Sequence, residues 1–208
     1  TGNAAAWTWN STAQTNLQGM INSAKATQTG AMPKFYYIMS QAYFNMGKIA
    51  SGSQSSITWT DQAGMWDVIA AFGKNVMDNV SFDGIISTGV MLQNLRTSPL
   101  DNEMNLTRDG YHMDNGVSRY GAACTVFETL ITPKFNVTLD GNSYRYTVEN
   151  TSDSAYSTPV TDANAPVALK AARYAIANPY EVTDMSDVKE DLPGNSIGDV
   201  DFEEGSKE

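Results

Sequence analysis

The order of helical and apolar segments constrains the fold of this chain more than any other feature of its sequence. Apolar residues at helical spacing begin at Ser11, and the aromatic, apolar run 34–39 follows them. A second helical pattern covers 65–80 and precedes a second apolar run, 85–91. Short runs that are apolar throughout are typical of strands buried inside a sheet, and helices that alternate with them favour a parallel sheet. The sequence therefore predicts an α/β fold.

The second half of the chain adds helices and one antiparallel element. A short helix begins within 93–96, a third long helix covers 116–130, and a last helix runs over 162–177. Residues 135–149 place two β-prone stretches around an Asp-Gly pair, which is a signal for a β-hairpin. We therefore predict a hairpin and loop insertion over about 134–160, before the closing helix.

Composition and charge exclude several classes of protein. With 208 residues, of which 41% are hydrophobic, the chain is large enough for one domain with a core. Its net charge of -10 is concentrated in residues 181–208, where ten acids accompany two lysines, so residues 1–180 are almost neutral. This charge pattern argues against a nucleic-acid partner, and no apolar run approaches the roughly 20 residues that span a membrane. We predict one domain over 1–180 and an acidic tail over 181–208.

A single cysteine and a single histidine limit the chemistry further. Cys124 lies in the apolar stretch 122–127, so it is predicted to be a buried, unreactive thiol without a disulfide partner in the chain. One histidine and one cysteine that lie apart in sequence form no zinc signature. The sequence also lacks a glycine-rich phosphate-binding loop. It therefore predicts neither a metal site nor a cofactor.

The only histidine, His112, follows Asp109 by three positions in a segment with the character of a loop. Such a loop can fold back so that the carboxylate meets Nδ1 of the imidazole, and Gly110 permits the tight backbone. Nε2 would then be free to accept the proton of a serine hydroxyl, which is the acid–base part of a Ser-His-Asp hydrolase. The alternative is a hydrogen-bonded structural histidine, and the Asp-x-x-His spacing taken alone favours it.

The residues around this pair resemble a known family. The segment Leu-Thr-Arg-Asp-Gly-Tyr-His-Met at 106–113, with the helical segment 116–124 after it, resembles a family within the SGNH/GDSL hydrolase superfamily. That family is one of unknown function, and its relatives are acyl-esterases and acetyl-esterases. The block Gly-Val-Met-Leu-Gln-Asn-Leu-Arg-Thr-Ser at 89–98 is similar to the segment that precedes the family's Asp/His loop. The resemblance covers roughly residues 10–180 and is most specific at 85–130.

This resemblance implies a fold and roles for five residues. The fold is a flavodoxin-like three-layer α/β/α sandwich with a central parallel sheet. By the resemblance, His112 is the catalytic base and Asp109 is the acid that orients it. Gln93, Asn94 and Arg96 fall in a polar block that either holds the loops of the site or meets the substrate. For Arg96, a structural salt bridge is an equal alternative.

The sequence departs from the family at the nucleophile. Family members carry the serine in a Gly-Asn-Ser turn after the first strand, and further blocks supply the oxyanion hole. Gly-Asn-Ser occurs here at 141–143, within the predicted hairpin, and at 194–196, within the acidic tail, so neither copy follows a buried strand. The resemblance therefore implies that the first strand is missing from this chain. An N-terminal segment or another chain is expected to supply the serine and to complete the sheet.

Two functions follow as expectations. The first is the C-terminal part of an SGNH-type serine esterase that hydrolyses acyl esters of a carbohydrate. The second is a catalytically inactive SGNH-like structural or binding module in an exported surface protein or a virus particle. A richness in Ser, Thr, Asn and Gln, with only 17% charged residues, is typical of such proteins. We therefore expect a periplasmic, extracellular or virion-associated location.

Overall fold

A computed structural model of the protein describes residues 9–44, 62–146 and 156–188. Within these ranges the chain forms six helices and two strands. In chain order they are α1 (Ser11–Ala26), β1 (Tyr36–Ile38), α2 (Gln62–Asn79), β2 (Gly84–Ile86), α3 (Thr88–Thr97), α4 (Val117–Leu130), α5 (Thr132–Phe135) and α6 (Ala165–Ala177).

The two strands lie side by side and run in parallel. Tyr36 pairs with Gly84 and Ile38 pairs with Ile86, and α2 provides part of the connection between the strands. The pairing continues beyond the strand ends, because the amide of Met39 donates to the carbonyl of Ile86 at 3.0 Å. The predicted α/β class is therefore confirmed at the level of a mixed fold with a two-stranded parallel sheet in the described part of the chain.

The second apolar run, 85–91, is a strand only at its beginning. β2 ends at Ile86, and α3 starts at Thr88 and extends to Thr97, so the prediction of a strand up to residue 91 is wrong. The helix that was predicted to begin within 93–96 therefore begins five residues earlier, at Thr88. Every residue from 88 to 95 is buried, and a helix that is buried on all sides has the same uninterrupted apolar character as a buried strand.

Helix α3 lies at the centre of the core and packs against α4 and α6. A Cβ on Gly89 would overlap the carbonyl oxygen of Ser40, so only glycine allows α3 to approach the end of β1 this closely. Gly121 of α4 lies against the side chain of Met91 in the same way. Cys124 is 2% exposed, which confirms the prediction that it is buried.

The helix boundaries follow from local hydrogen bonds. Asn10 caps α1, since its Oδ1 accepts a hydrogen bond from the amide of Ala13 at 2.9 Å. At α6, Thr161 and Asn164 exchange hydrogen bonds between side chain and amide, at 2.8 and 3.2 Å. These two hydrogen bonds close a turn over residues 161–164. The last helix therefore begins at Ala165 and not at residue 162.

The predicted β-hairpin is wrong in the described part of the segment 135–149. Phe135 ends α5, and residues 136–146 contain no strand. The turn itself is present, because Gly141 has a φ of 73° and the amide of Asn142 donates to the carbonyl of Leu139 at 3.0 Å. The flanking stretches bind instead to helices α4 and α6 through the side chains of Glu128 and Arg173.

None of the helices in the described ranges has the length and apolar character needed to cross a membrane. Of the predicted acidic tail, residues 181–188 follow α6 as irregular chain, and Met185 among them is fully buried. Residues 189–208 lie outside the described residues.

Candidate acid–base site

The loop that carries Asp109 and His112 closes on itself. Thr107 and Met113 form an antiparallel bridge, and the amide of Arg108 donates to the carbonyl of His112 at 3.0 Å. Gly110 reverses the chain with a φ of 91°, a conformation that side chains other than glycine rarely adopt. The loop is therefore a defined turn and not an extended connection.

The turn brings the carboxylate of Asp109 to the imidazole of His112. Oδ2 of Asp109 lies 2.6 Å from Nδ1 of His112. Oδ1 accepts hydrogen bonds from the amides of His112 and Tyr111, at 2.8 and 3.0 Å. The predicted contact between carboxylate and Nδ1 is thus present in the structure.

The protonation states follow from these contacts. Desolvation raises the pKa of Asp109, but hydrogen bonds from the amide and the side chain of His112 and from the amide of Tyr111 outweigh it and hold the pKa below its usual value. An ionised carboxylate can only accept hydrogen bonds, so Nδ1 carries the proton between the two groups. In the neutral imidazole, Nε2 then has a free lone pair and can act as a base.

The pair is open to solvent. The side chain of His112 is 63% exposed and that of Asp109 is 40% exposed. Within the described residues, Nε2 of His112 makes no hydrogen bond, and no serine hydroxyl contacts it. Nε2 of His112 can therefore accept a proton from a hydroxyl that approaches from outside this loop.

The segment after β1 supports the loop from one side. Nε2 of Gln41 donates to the carbonyl of Tyr111 at 3.0 Å, and the amide of Phe44 donates to the carbonyl of Gly110 at 2.8 Å. The rings of Tyr43 and Tyr111 meet edge to face, with centroids 5.2 Å apart. The pair therefore lies beside the chain that leaves the carboxyl end of β1, where sites of α/β proteins usually form.

Asp114 supports the loop from the other side and was not singled out in the sequence. It is fully buried, and its Oδ1 accepts from the amides of Gly116 and Ser118 at 2.7 and 3.2 Å. Desolvation raises the pKa of Asp114, and the hydrogen bonds it accepts act in the opposite direction. Asp114 thereby joins the loop to the start of α4.

Asn94 is bonded to the fold on both sides. It is fully buried, its Nδ2 donates to the carbonyl of Ala171 at 3.2 Å, and its Oδ1 accepts from the amide of Thr183 at 2.7 Å. Asn94 therefore connects α3 to α6 and to the chain that follows α6. These contacts favour the alternative in which it supports the site over the one in which it meets the substrate.

Arg96 and Gln93 hold loops together. The guanidinium of Arg96 donates to the carbonyls of Asn105 and Ala42, at 3.0 and 2.9 Å, and to the side chain of Gln93. Burial lowers the pKa of Arg96 to about 9, and the charge of Asp101 opposes this shift. Since Ala42 follows β1 and Asn105 precedes the Asp109–His112 loop, Arg96 joins the two segments that flank the pair.

Two features of this neighbourhood were not assigned a role from the sequence. Gln41 lies three positions after β1, a position from which a polar side chain reaches the loops at a sheet's carboxyl edge. Asn105 and Leu106 have φ values of 47° and 59°, a left-handed conformation that is common for asparagine but that leucine does not indicate. No cluster of three or more metal-binding side chains occurs in the parts of the chain that the structure describes.

Comparisons with known proteins identify one family. The family model described as "Domain of unknown function (DUF4886)" matches residues 4–163. A solved structure, that of a DUF4886 family protein from Bacteroides uniformis, is similar at a TM-score of 0.58 and 26% sequence identity. The match covers 83% of this chain and 63% of that protein, so this chain spans less than two thirds of its length. No curated protein matches the chain.

Proposed function

The chain belongs to the DUF4886 family, and from the geometry of Asp109 and His112 within it we propose that it is part of an SGNH-type serine esterase. One observation carries this proposal: an ionised carboxylate binds Nδ1 of an exposed imidazole, and Nε2 of that ring makes no hydrogen bond to the described residues. The resemblance at 106–113 supports the same assignment.

In this mechanism His112 acts as general base and then as general acid. Nε2 takes the proton from a serine hydroxyl while the serine oxygen bonds to the ester carbonyl carbon. The imidazolium then gives that proton to the leaving alcohol oxygen as the carbon–oxygen bond of the ester breaks. Water attacks the acyl-serine by the same route, which releases the carboxylic acid and restores the serine. Asp109 holds the ring in the required tautomer and stabilises its charged form.

The same proposal places the nucleophilic serine on a segment outside this sequence. The length of the Bacteroides uniformis protein supports it, since 63% of that protein is covered and the remainder can accommodate a nucleophile-bearing segment. The free edge of β1 supports it as well. In the described residues β1 pairs with β2 only, and Ile38 at its end is 59% exposed. A further strand on this edge would extend the sheet towards a flavodoxin-like three-layer sandwich.

The substrate class in this proposal rests on the resemblance, and the location rests on the composition. SGNH-type esterases suggest an acylated carbohydrate as substrate, and the polar, weakly charged composition suggests an exported or virion-associated protein. Gln93 and Arg96 enter as positioning residues, because Arg96 binds Gln93 and joins the segment after β1 to the chain ahead of the Asp109–His112 loop.

Labelling of the complete protein with a fluorophosphonate probe tests the proposal. We expect labelling of one serine, and hydrolysis of 4-nitrophenyl acetate, with both decreasing on the order of 10²–10⁴-fold in His112→Ala. Lys74→Gln, an exposed substitution on α2, is the matched control and should leave both rates unchanged. If the complete, folded protein shows neither labelling nor hydrolysis, the esterase is ruled out. The inactive binding module then becomes the better account.

A further inference from the structure

A second concave feature lies along α4, apart from the acid–base pair. It is a pocket of about 500 Å³, and Arg119, Tyr120, Phe127, Leu139, Tyr144 and Tyr146 are among the residues that line it. Neither Asp109 nor His112 belongs to it. Pockets of about 300–1,000 Å³ are the usual size for small-molecule ligands. The pocket therefore has the volume to enclose one organic molecule of one or two rings.

The wall of this pocket opposite α4 is held firmly in place. Arg173 on α6 binds both oxygens of Asp140, at 2.8 and 2.9 Å, and also reaches Oε1 of Glu128 at 3.1 Å. Further along the wall, Arg145 donates to the carbonyls of Asn142 and Tyr144. The contacts of Arg173 fix residues 138–140 against α4 and α6, and those of Arg145 fold the chain after them onto itself. A site whose walls are fixed before binding loses little free energy to ordering.

The base of the pocket is apolar and carries no charge. Cys124, Phe127 and Leu139 form this part of the lining. Burial raises the pKa of Cys124 to about 11, so the thiol is neutral at physiological pH. Hydroxyl groups of a ligand would find few partners at this depth, whereas a flat hydrocarbon ring would fit.

Aromatic rings and one cation stand at the rim. Tyr144 is 68% exposed and Tyr146 is 44% exposed, so neither ring is packed into the core. Arg119 is exposed, and its guanidinium has no ion pair or hydrogen bond among the described residues. It projects from the first turn of α4, where the helix dipole also favours a negative charge. One unpaired cation is suited to a ligand with a single negative charge.

We infer that this pocket binds a small aromatic carboxylate, with its ring between the tyrosines and the apolar base and its carboxylate on Arg119. A planar guanidinium can hold a carboxylate through two parallel hydrogen bonds. Aromatic partners then surround the ring. This inference does not depend on the esterase proposed above, since the two sites share no residue.

Calorimetric titration of the chain with cinnamate tests the inference. We expect saturable, one-to-one binding, and about tenfold weaker binding of cinnamyl alcohol, which has the same ring but lacks the charge. Galacturonate, which has the charge on a saccharide ring, should bind more weakly than cinnamate. If galacturonate binds more tightly, the ligand is a sugar acid and the assignment to an aromatic ring is wrong.

Two variants locate the binding. Arg119→Gln should reduce the affinity for cinnamate about tenfold and leave that for cinnamyl alcohol unchanged, because only the former interacts with the charge. Ala123 is an exposed residue of α4 that lines the pocket, and Ala123→Phe should abolish the binding of both ligands. Lys74→Gln removes one positive charge elsewhere and should change neither affinity.

His112→Ala separates this inference from the proposed esterase. The substitution should leave the cinnamate affinity unchanged even where it abolishes ester hydrolysis. Thermal unfolding of each variant checks that the fold is retained. Absence of saturable cinnamate binding to the folded wild-type chain overturns the inference, and so does binding that neither Arg119→Gln nor Ala123→Phe weakens.

Discussion

Residues 93–96 of α3 and the loop 107–113 contain similar polar side chains, yet the two regions use them in opposite ways. In α3, Asn94 and Arg96 bind backbone carbonyls of three other segments, and Asn94 is fully buried. In the loop, Asp109 and His112 bind each other and remain 40% and 63% exposed. The first set stabilises the fold, and the second set is available to react with an external molecule.

The difference shows that a polar residue acquires its role from what surrounds it. Asn94 accepts the hydrogen bond of the Thr183 amide and donates a second bond to a carbonyl of α6, so its loss separates α3 from two other segments. The Asp109–His112 contact satisfies no other part of the chain. Four substitutions measure this contrast, and they follow in order of decreasing effect on stability.

Asn94→Ala should have the largest effect. It removes both hydrogen bonds of a fully buried amide and leaves the amide of Thr183 without this partner, and we expect a loss of about 3 kcal/mol in the free energy of unfolding. Urea denaturation measures it. Asn75→Ala is the matched control, since the side chain of this partly exposed asparagine binds only the carbonyl of Ala71 in its own helix, and it should change stability by less than about 0.5 kcal/mol.

Arg96→Met should come next. The methionine retains apolar volume but removes the donors for Ala42 and Asn105, and we expect a loss of about 2 kcal/mol. The loss is smaller than for Asn94 because removal of a buried charge also relieves its desolvation. Arg119→Met, which removes an exposed arginine that has no ion pair among the described residues, should be nearly neutral. Equal losses in the two variants would contradict the role of Arg96 as a link between loops.

Asp109→Asn should have a small effect that depends on pH. The folded-state pKa of Asp109 lies below its usual value of 3.8, so the ionised carboxylate stabilises the fold above that value. The contribution is lost as the pH falls through the folded-state pKa. At pH 7 we expect the variant to be less stable by no more than about 1 kcal/mol, because the group is partly exposed. Unfolding curves should converge in acid, and a difference that stays constant with pH would refute this assignment.

His112→Ala should have the smallest effect on stability, within about 0.5 kcal/mol. The ring is 63% exposed and its side chain contacts only Asp109 by hydrogen bond. Differential scanning calorimetry of the variant and the wild type measures the difference. A loss above about 1.5 kcal/mol would mean that the histidine is structural, and the contrast between the two regions would no longer hold.

The sequence was sufficient for elements whose signal is local. The start of α1 at Ser11 and the extent of α4 agree with the predicted helices, since apolar spacing and end residues determine both. The contact between Asp109 and His112 was also predictable, because the two residues are three positions apart with a glycine between them. Their catalytic role remains a prediction.

The sequence was insufficient wherever the outcome depended on distant partners. An uninterrupted apolar run such as 85–91 is typical both of a buried strand and of a buried helix. Only the packing of α3 against α4 and α6 decides between the two. The Asp-Gly turn at 140–141 was correct, but Arg173, 33 residues away, binds Asp140 to α6. Whether Arg96 forms a salt bridge or binds carbonyls likewise depended on segments remote in sequence.

The hydrogen bonds at the beginning of α4 have a consequence for protein engineering. The chain leaves the far end of this 14-residue helix and returns to its beginning, where Thr158 accepts from the amide of Val117 at 2.9 Å and Ser157 accepts from that of Asn115 at 3.0 Å. The helix is about 21 Å long, a span that about seven extended residues can bridge. A short linker could therefore replace the chain between the end of α4 and Ser157. A longer loop from another protein could be inserted at the same two points to change the tyrosines of the pocket. Neither change would alter the imidazole and its carboxylate.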